Sequence, residues 1–198
     1  DEQPKGSVHL TKTVVDLDTD VDLVDRSDLS KIQFVLKAKE NIYSPVDGSL
    51  MFAKDEKITT ESSGAIVNTG TEIGKGIYAL SKDGQLDISN FPMGTGEAKY
   101  YFEEVKTLDG CVLDEAKQSF TFRQKDFTTK NYSKDLNVEN KTTHFEFNKT
   151  DVTGDKEVLG AQLTITDEKG NIVDQWVSTE KPHSIEGLVV GETYTLSE

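Results

Sequence analysis

Apolar residues recur at every second position along much of the chain: Val8 and Leu10 leading to Lys12, Gln85 to Ile88, Tyr100 and Phe102 leading to Glu104, Phe145 and Phe147 leading to Lys149. A period of two belongs to the β-strand, whose successive side chains point to opposite faces. Short runs rich in Val, Ile, Phe, Tyr and Thr alternate with turn signals at Asp47-Gly48, Asp83-Gly84, Asp109-Gly110 and Lys169-Gly170-Asn171. The pattern predicts an all-β chain of sandwich type. No window of helical length carries a helical spacing, and the charged stretch Lys54 to Lys57 is too short, so helix content is expected to be low.

Compared with itself, the chain shows a second level of order. Val8-His9-Leu10-Thr11-Lys12-Thr13 is echoed by Phe145-Glu146-Phe147-Asn148-Lys149-Thr150. Lys99-Tyr100-Tyr101-Phe102-Glu103-Glu104 is echoed by Thr193-Tyr194-Thr195-Leu196-Ser197-Glu198, each preceded by a glycine, Gly96 and Gly191. Two tandem modules fit this repeat, divided near Lys141, with domains expected at 1–141 and 142–198. After Glu104 the first module carries further strand-like runs, Ser119 to Arg123 and Leu136 to Asn140, whose equivalents the second module lacks.

Charge and composition narrow the function. Twenty-two basic against 36 acidic residues give a net charge of −14. Such a chain repels phosphate backbones and anionic lipid, and its Lys and Arg look scattered, so neither nucleic acid nor a membrane is an expected partner. No run approaches a membrane helix, and the acidic start Asp1-Glu2-Gln3-Pro4 lacks the basic and apolar regions of a signal peptide, so any export signal is expected to have been removed. The single cysteine, Cys111, forms no intrachain disulfide, and three histidines (His9, His144, His183) are too few for a His/Cys metal cluster. No cofactor or metal is expected. Stability must come from packing or from another kind of cross-link.

In the second module the run Asn148-Lys149-Thr150-Asp151, Leu159-Gly160-Ala161-Gln162-Leu163, Asp167-Glu168-Lys169-Gly170-Asn171, Trp176-Val177-Ser178, Pro182-His183 and Gly191 to Glu198 resembles the Cna B-type (SpaA-like) domains of Gram-positive surface adhesins and pilins. The first module resembles the longer form of that family through Leu10-Thr11-Lys12, Phe34-Val35-Leu36, Asp47-Gly48, Gly84-Gln85-Leu86, Tyr100 to Glu104 and Asp109 to Asp114. It departs at Cys111, where the family usually has Tyr, and at Lys106-Thr107-Leu108, which replaces a Lys-Ala-Pro run. The resemblance implies tandem immunoglobulin-like or prealbumin-like β-sandwiches. It also implies an autocatalytic intramolecular isopeptide bond between a first-strand Lys and a last-strand Asn, assisted by a Glu. Carried over, these are Lys12, Asn140 and Glu104; Lys149 and Glu198 would form an incomplete second site.

The residues support this reading from their own register, since Lys12 falls in phase with Val8 and Leu10, Glu104 with Phe102, and Asn140 with Leu136 and Val138. All three are expected to face the core. An inward Lys or Glu costs several kcal/mol as an ion. The neutral amine is the nucleophile, and a protonated acid hydrogen-bonded to the Asn carbonyl would polarise it and shuttle protons to the departing ammonia. The plainer alternatives are a Lys12 that snorkels at a strand end and an Asn140 that belongs to a linker.

Other candidates carry less. Glu103 points away from Glu104 and is expected in solvent. The run Asp16, Asp18, Asp20, Asp22 suggests calcium, but a calcium loop starting at Asp16 would need Gly and Glu where the chain has Val21 and Ser27, so a solvated loop is expected. Cys111 reads as a small buried hydrophobe. Trp176 reads equally as module packing or as a surface contact. The acceptor patterns Asn131-Tyr132-Ser133, Asn140-Lys141-Thr142 and Asn148-Lys149-Thr150 are incidental in a bacterial protein. The expected function is therefore structural: stalk modules of an extracellular, cell-wall-anchored adhesin or pilin, with neighbouring repeats of the same polypeptide as partners. The alternative is a module binding host matrix protein or glycan, chiefly through a long Asn41 to Gly76 loop. With no nucleophile-base set or facing carboxylates, an enzyme is not expected.

Overall fold

The computed structural model describes residues 3–148 and 159–198. In chain order its strands are β1 Lys5–Val14, β2 Val21–Asp22, β3 Gln33–Ala38, β4 Ile42–Tyr43, β5 Leu50–Phe52, β6 Ile66–Thr69, β7 Thr71–Gly74, β8 Ile77–Ala79 and β9 Gln85–Pro92. There follow β10 Glu97–Lys106, β11 Gln118–Arg123, β12 Asn131–Asn140, β13 His144–Phe147, β14 Gln162–Thr166, β15 Ile172–Val177, β16 His183–Glu186 and β17 Thr195–Ser197. The fold is all-β. Helix is confined, among the described residues, to a 3-10 turn at Leu29–Lys31 and one α-turn at Thr60–Ser63. The α-turn is capped by Thr59 and closed by Gly64 in the left-handed region.

The chain forms two compact units: residues 1–14, 26–108 and 113–141 make the first, and residues 15–25, 109–112 and 142–198 the second. In the first unit the sheets run β12-β1-β9-β6 and β11-β10-β3-β8-β7. Alternation is strict in β1, where Gly6, Val8, Leu10 and Lys12 are all buried while their neighbours are not. The faces meet closely at Gly6, whose position a side chain could not share with the Phe122 ring. Phe91 of β9 packs against Tyr100, Phe120 and Phe122 of β10 and β11, with centroids 5.1 to 5.8 Å apart. On the outer face His9 pairs with Asp87 and Thr11 with Gln85, cross-strand partners in the β1–β9 ladder.

The first and last strands of this unit lie side by side. β1 and β12 pair in parallel over their whole length, from Lys5 with Asn131 to Val14 with Asn140. The stretch from Asn41 to Gly76, read from sequence as a long loop, is threaded with short strands: β4 pairs with β5, β6 joins β9, and β7 joins β8. These strands of two to four residues are too short to show a period.

In the second unit the sheets run β13-β16-β2 and β15-β14-β17. Its core is small, with Ile165, Ile185 and Leu188 buried and Val21, Phe147, Val173, Trp176 and Tyr194 packed against them. Trp176 is thus a packing residue: its ring stacks on His183 at 4.0 Å and 13° and lies 5.9 Å from Phe147. Two upstream stretches that the sequence reading assigns to the first module, residues 15–25 and 109–112, lie in this unit. β2 pairs in parallel with β16, bringing Val21 opposite Ile185, and Gly110 lies so close to Gly187 that a Cβ on it would meet the Gly187 carbonyl oxygen at 2.6 Å. Cys111, buried here, bridges Thr142.

A buried lysine, glutamate and asparagine in the first unit

Lys12, Glu104 and Asn140 meet at one place in the first unit. Lys12 continues the inward series of β1, Glu104 lies in β10 opposite Phe34, and Asn140 ends β12. The parallel register sets Lys12 beside Val138 and Asn140 two residues further on, the spacing that returns a strand side chain to the same face. All three are buried, and the Lys12 and Glu104 side chains are wholly removed from solvent.

The ion pair and hydrogen bonds around Glu104 divide between its two oxygens: among the described residues Oε1 faces only the amine, and Oε2 takes the hydrogen bonds. Oε1 stands 3.2 Å from Lys12 Nζ. Oε2 accepts from Asn140 Nδ2 at 2.9 Å and from the Asp114 backbone N–H at 2.7 Å. The carboxylate therefore lies between an amine and a carboxamide. Lys12 Nζ also lies 5.4 Å from the centroid of the Phe34 ring, so the amine has an aromatic face on one side.

One detail departs from the expectation drawn from sequence. Glu104 engages the amide nitrogen of Asn140, not its carbonyl oxygen. The carbonyl oxygen, Oδ1, instead accepts from the Thr107 hydroxyl at 3.2 Å. Thr107 and Asp114 come from the connection after β10, where no strand period exists to point them out. The signals the sequence offers are the departure from the family run at Lys106-Thr107-Leu108 and, for Asp114, its place at the end of the Asp109 to Asp114 run.

The remaining sequence candidates lie elsewhere. Lys149 is outside the described residues, and Glu198 is exposed beyond β17. Glu103 is half-buried on the face opposite Glu104. The acidic run is exposed at Asp16, Asp18, Asp20 and Asp22 yet attached to the second unit: the Leu17 N–H donates to Glu186 Oε2 at 3.3 Å, and carboxylate oxygens of Asp16, Asp22 and buried Glu186 lie within 4.8 Å of one another.

Compared with known families, residues 143–198 match SpaA, a prealbumin-like fold domain. No curated protein matches the chain. Among solved structures, the chain is similar to the Bacillus anthracis TIE protein, at 19% identity over 98% of this chain and 29% of that one, with a TM-score of 0.44. It is similar to GBS52, the minor pilin of Streptococcus agalactiae, at 19% identity over 75% of this chain and 49% of the pilin, with a TM-score of 0.45. It is also similar to the shaft pilin spaA of Lactobacillus rhamnosus GG, at 17% identity over 97% of this chain and 86% of the pilin, with a TM-score of 0.41. The chain spans less than half the length of the first two.

Proposed function

We propose that the first unit joins Lys12 to Asn140 through an intramolecular isopeptide bond with Glu104 as proton carrier, and that the chain is a stalk segment of a surface adhesin or pilin anchored to a Gram-positive cell wall. The observation that carries this reading is that an amine and a carboxamide, both buried on adjacent strands, contact the same carboxylate. Two ionised side chains taken out of water are a poor way to stabilise a core, so a pair retained there invites a chemical purpose.

The geometry supports a definite sequence of transfers. Lys12 gives a proton to Glu104 Oε1 and becomes a neutral amine. Its Nζ adds to Asn140 Cγ, forming the new N–C bond. Glu104, hydrogen-bonded to Nδ2 through Oε2, delivers its proton to that nitrogen as the Cγ–Nδ2 bond breaks, and takes up the surplus proton that Nζ carries after the addition, ending as the neutral acid. One ammonia leaves, the amide replaces an amine and a carboxamide, and Glu104 is left without a charged neighbour. The reaction runs once per chain.

In the full-length protein the partners of such a segment are neighbouring repeats. The match of residues 143–198 to a SpaA domain supports this setting. The test is the intact mass of the native chain, which should fall short of the sequence mass by one ammonia, with Lys12→Ala and Glu104→Ala restoring it. A wild-type chain at full sequence mass would sink the proposal.

A further inference from the structure

The Asn140 carboxamide is the electrophile of the proposed reaction, and its two ends have different partners. Its nitrogen faces Glu104, while its oxygen faces Thr107. When an amine adds to a carboxamide carbon, the carbonyl oxygen becomes an oxyanion, and a donor already aimed at that oxygen lowers the barrier more than it stabilises the ground state. Glu104 does not fill this place, because in this arrangement both its oxygens are engaged with nitrogen atoms.

We infer that Thr107 is a catalytic residue of the cross-linking step, its hydroxyl holding the negative charge that develops on Asn140 Oδ1 as Lys12 adds. This inference rests on the isopeptide reading above. The hydroxyl lies 3.2 Å from Oδ1 and, among the described residues, makes no other hydrogen bond. It is half-buried beside a fully buried acceptor, where a hydrogen bond to an anion is worth more than it is in water. Thr107 follows directly on β10, the strand that carries Glu104. The end of β10 and the residue that follows it therefore place the proton carrier and the oxyanion donor at opposite ends of the same carboxamide.

The proton balance is unaffected by this role. Thr107 keeps its own proton throughout, giving a hydrogen bond that shortens in the tetrahedral intermediate and relaxes when ammonia departs. Its methyl group takes no part, so serine should replace it and valine should not.

The experiment uses the full chain made by cell-free translation, stopped with a ribosome inhibitor and followed by intact mass during the chase. Thr107→Val should lose ammonia roughly tenfold to a hundredfold more slowly than wild type, at or below the ~10²–10³ that removing one oxyanion donor costs an enzyme. Thr107→Ser should return to within about threefold of the wild-type rate, since its hydroxyl can make the same bond. Once bonded, the Val variant should resist heat and trypsin like wild type, which separates slow chemistry from poor folding. If Thr107→Val bonds as fast as wild type, or Ser is as slow as Val, this inference is overturned while the isopeptide stands. If the wild-type chain never loses ammonia, both fall together.

Discussion

Asp20 and Ser184 hold one another through three hydrogen bonds: the Asp20 N–H donates to Ser184 Oγ at 2.9 Å, and the Ser184 N–H and hydroxyl donate to Asp20 Oδ2 at 2.8 and 3.1 Å. This exchange fastens the acidic stretch 15–25 to β16 within the second unit. The Ser184 backbone N–H, then its hydroxyl, hold the Asp20 carboxyl below its ordinary value of 3.8, and the nearby His183 and Lys181 charges lower it further. His183 also pairs with Asp174 at 2.6 Å.

The sign of the pH effect follows. A carboxyl whose folded value is depressed contributes to attachment above its ordinary value, and the contribution is lost as the pH falls through the folded value. The protection factor of the Ser184 amide, its exchange rate relative to that of an unstructured chain at the same pH, should therefore be high at neutral pH and fall in acid, below about pH 4. In Asp20→Ala the Ser184 amide should have a low protection factor at every pH. A Ser184 amide equally protected in both proteins would show that Asp20 holds nothing.

Lys12 and Glu104 yield a prediction on stability as well as on mass. Lys12→Met abolishes the proposed bond, worth about 4–5 kcal/mol for a closed loop on the order of a hundred residues. It also strands the Glu104 carboxylate, and breaking a buried pair from one side costs about 3–5 kcal/mol. Lys12→Met/Glu104→Leu, equally bondless, should be the more stable of the two in urea unfolding. Equal midpoints would mean that the buried carboxylate is not being penalised.

Gly6 carries the closest approach between the two faces of the first unit. A Cβ there would lie 2.6 Å from two atoms of the Phe122 ring. Gly6→Ala should cost about 1–3 kcal/mol by overpacking. Phe122→Leu opens the same space, so the two changes should be non-additive in a double-mutant cycle. Additive losses would place the strain elsewhere.

Trp176 should matter to the second unit alone. Its indole packs against the buried cluster of Ile165, Ile185 and Leu188, and it stacks on His183. Trp176→Ala should lower the stability of that unit by about 2–4 kcal/mol and leave hydrogen exchange in β1, β9 and β10 unchanged. A uniform rise in exchange would contradict this.

What could be read in advance followed the strand period. The inward turn of Lys12 was legible because Val8 and Leu10 precede it in phase, and that of Glu104 because Phe102 does. Thr107 and Asp114 were not legible, because connecting segments have no period and their hydrogen bonds depend on where the chain returns. The same holds for β2, a two-residue strand whose partner lies far along the sequence, in an acidic stretch that composition alone assigns to solvent. Trp176 could not be placed from sequence because alternation shows a residue's face but not what covers that face. The strands between Asn41 and Gly76 are too short to leave a period in the sequence.

The parallel pairing of β1 with β12 has a mechanical meaning. In a parallel pair the leading end of one strand and the trailing end of the other lie at opposite extremities, so tension applied at Lys5 and Asn140 slides the strands along each other. Every rung of the ladder then strains together, and none can be peeled off first. With Lys12 welded to Asn140, the tension would enter at Lys5, pass along seven residues to Lys12 and leave at Asn140. The rest of the unit would hang off the load path as a passive shield, keeping water from the one link that bears the force.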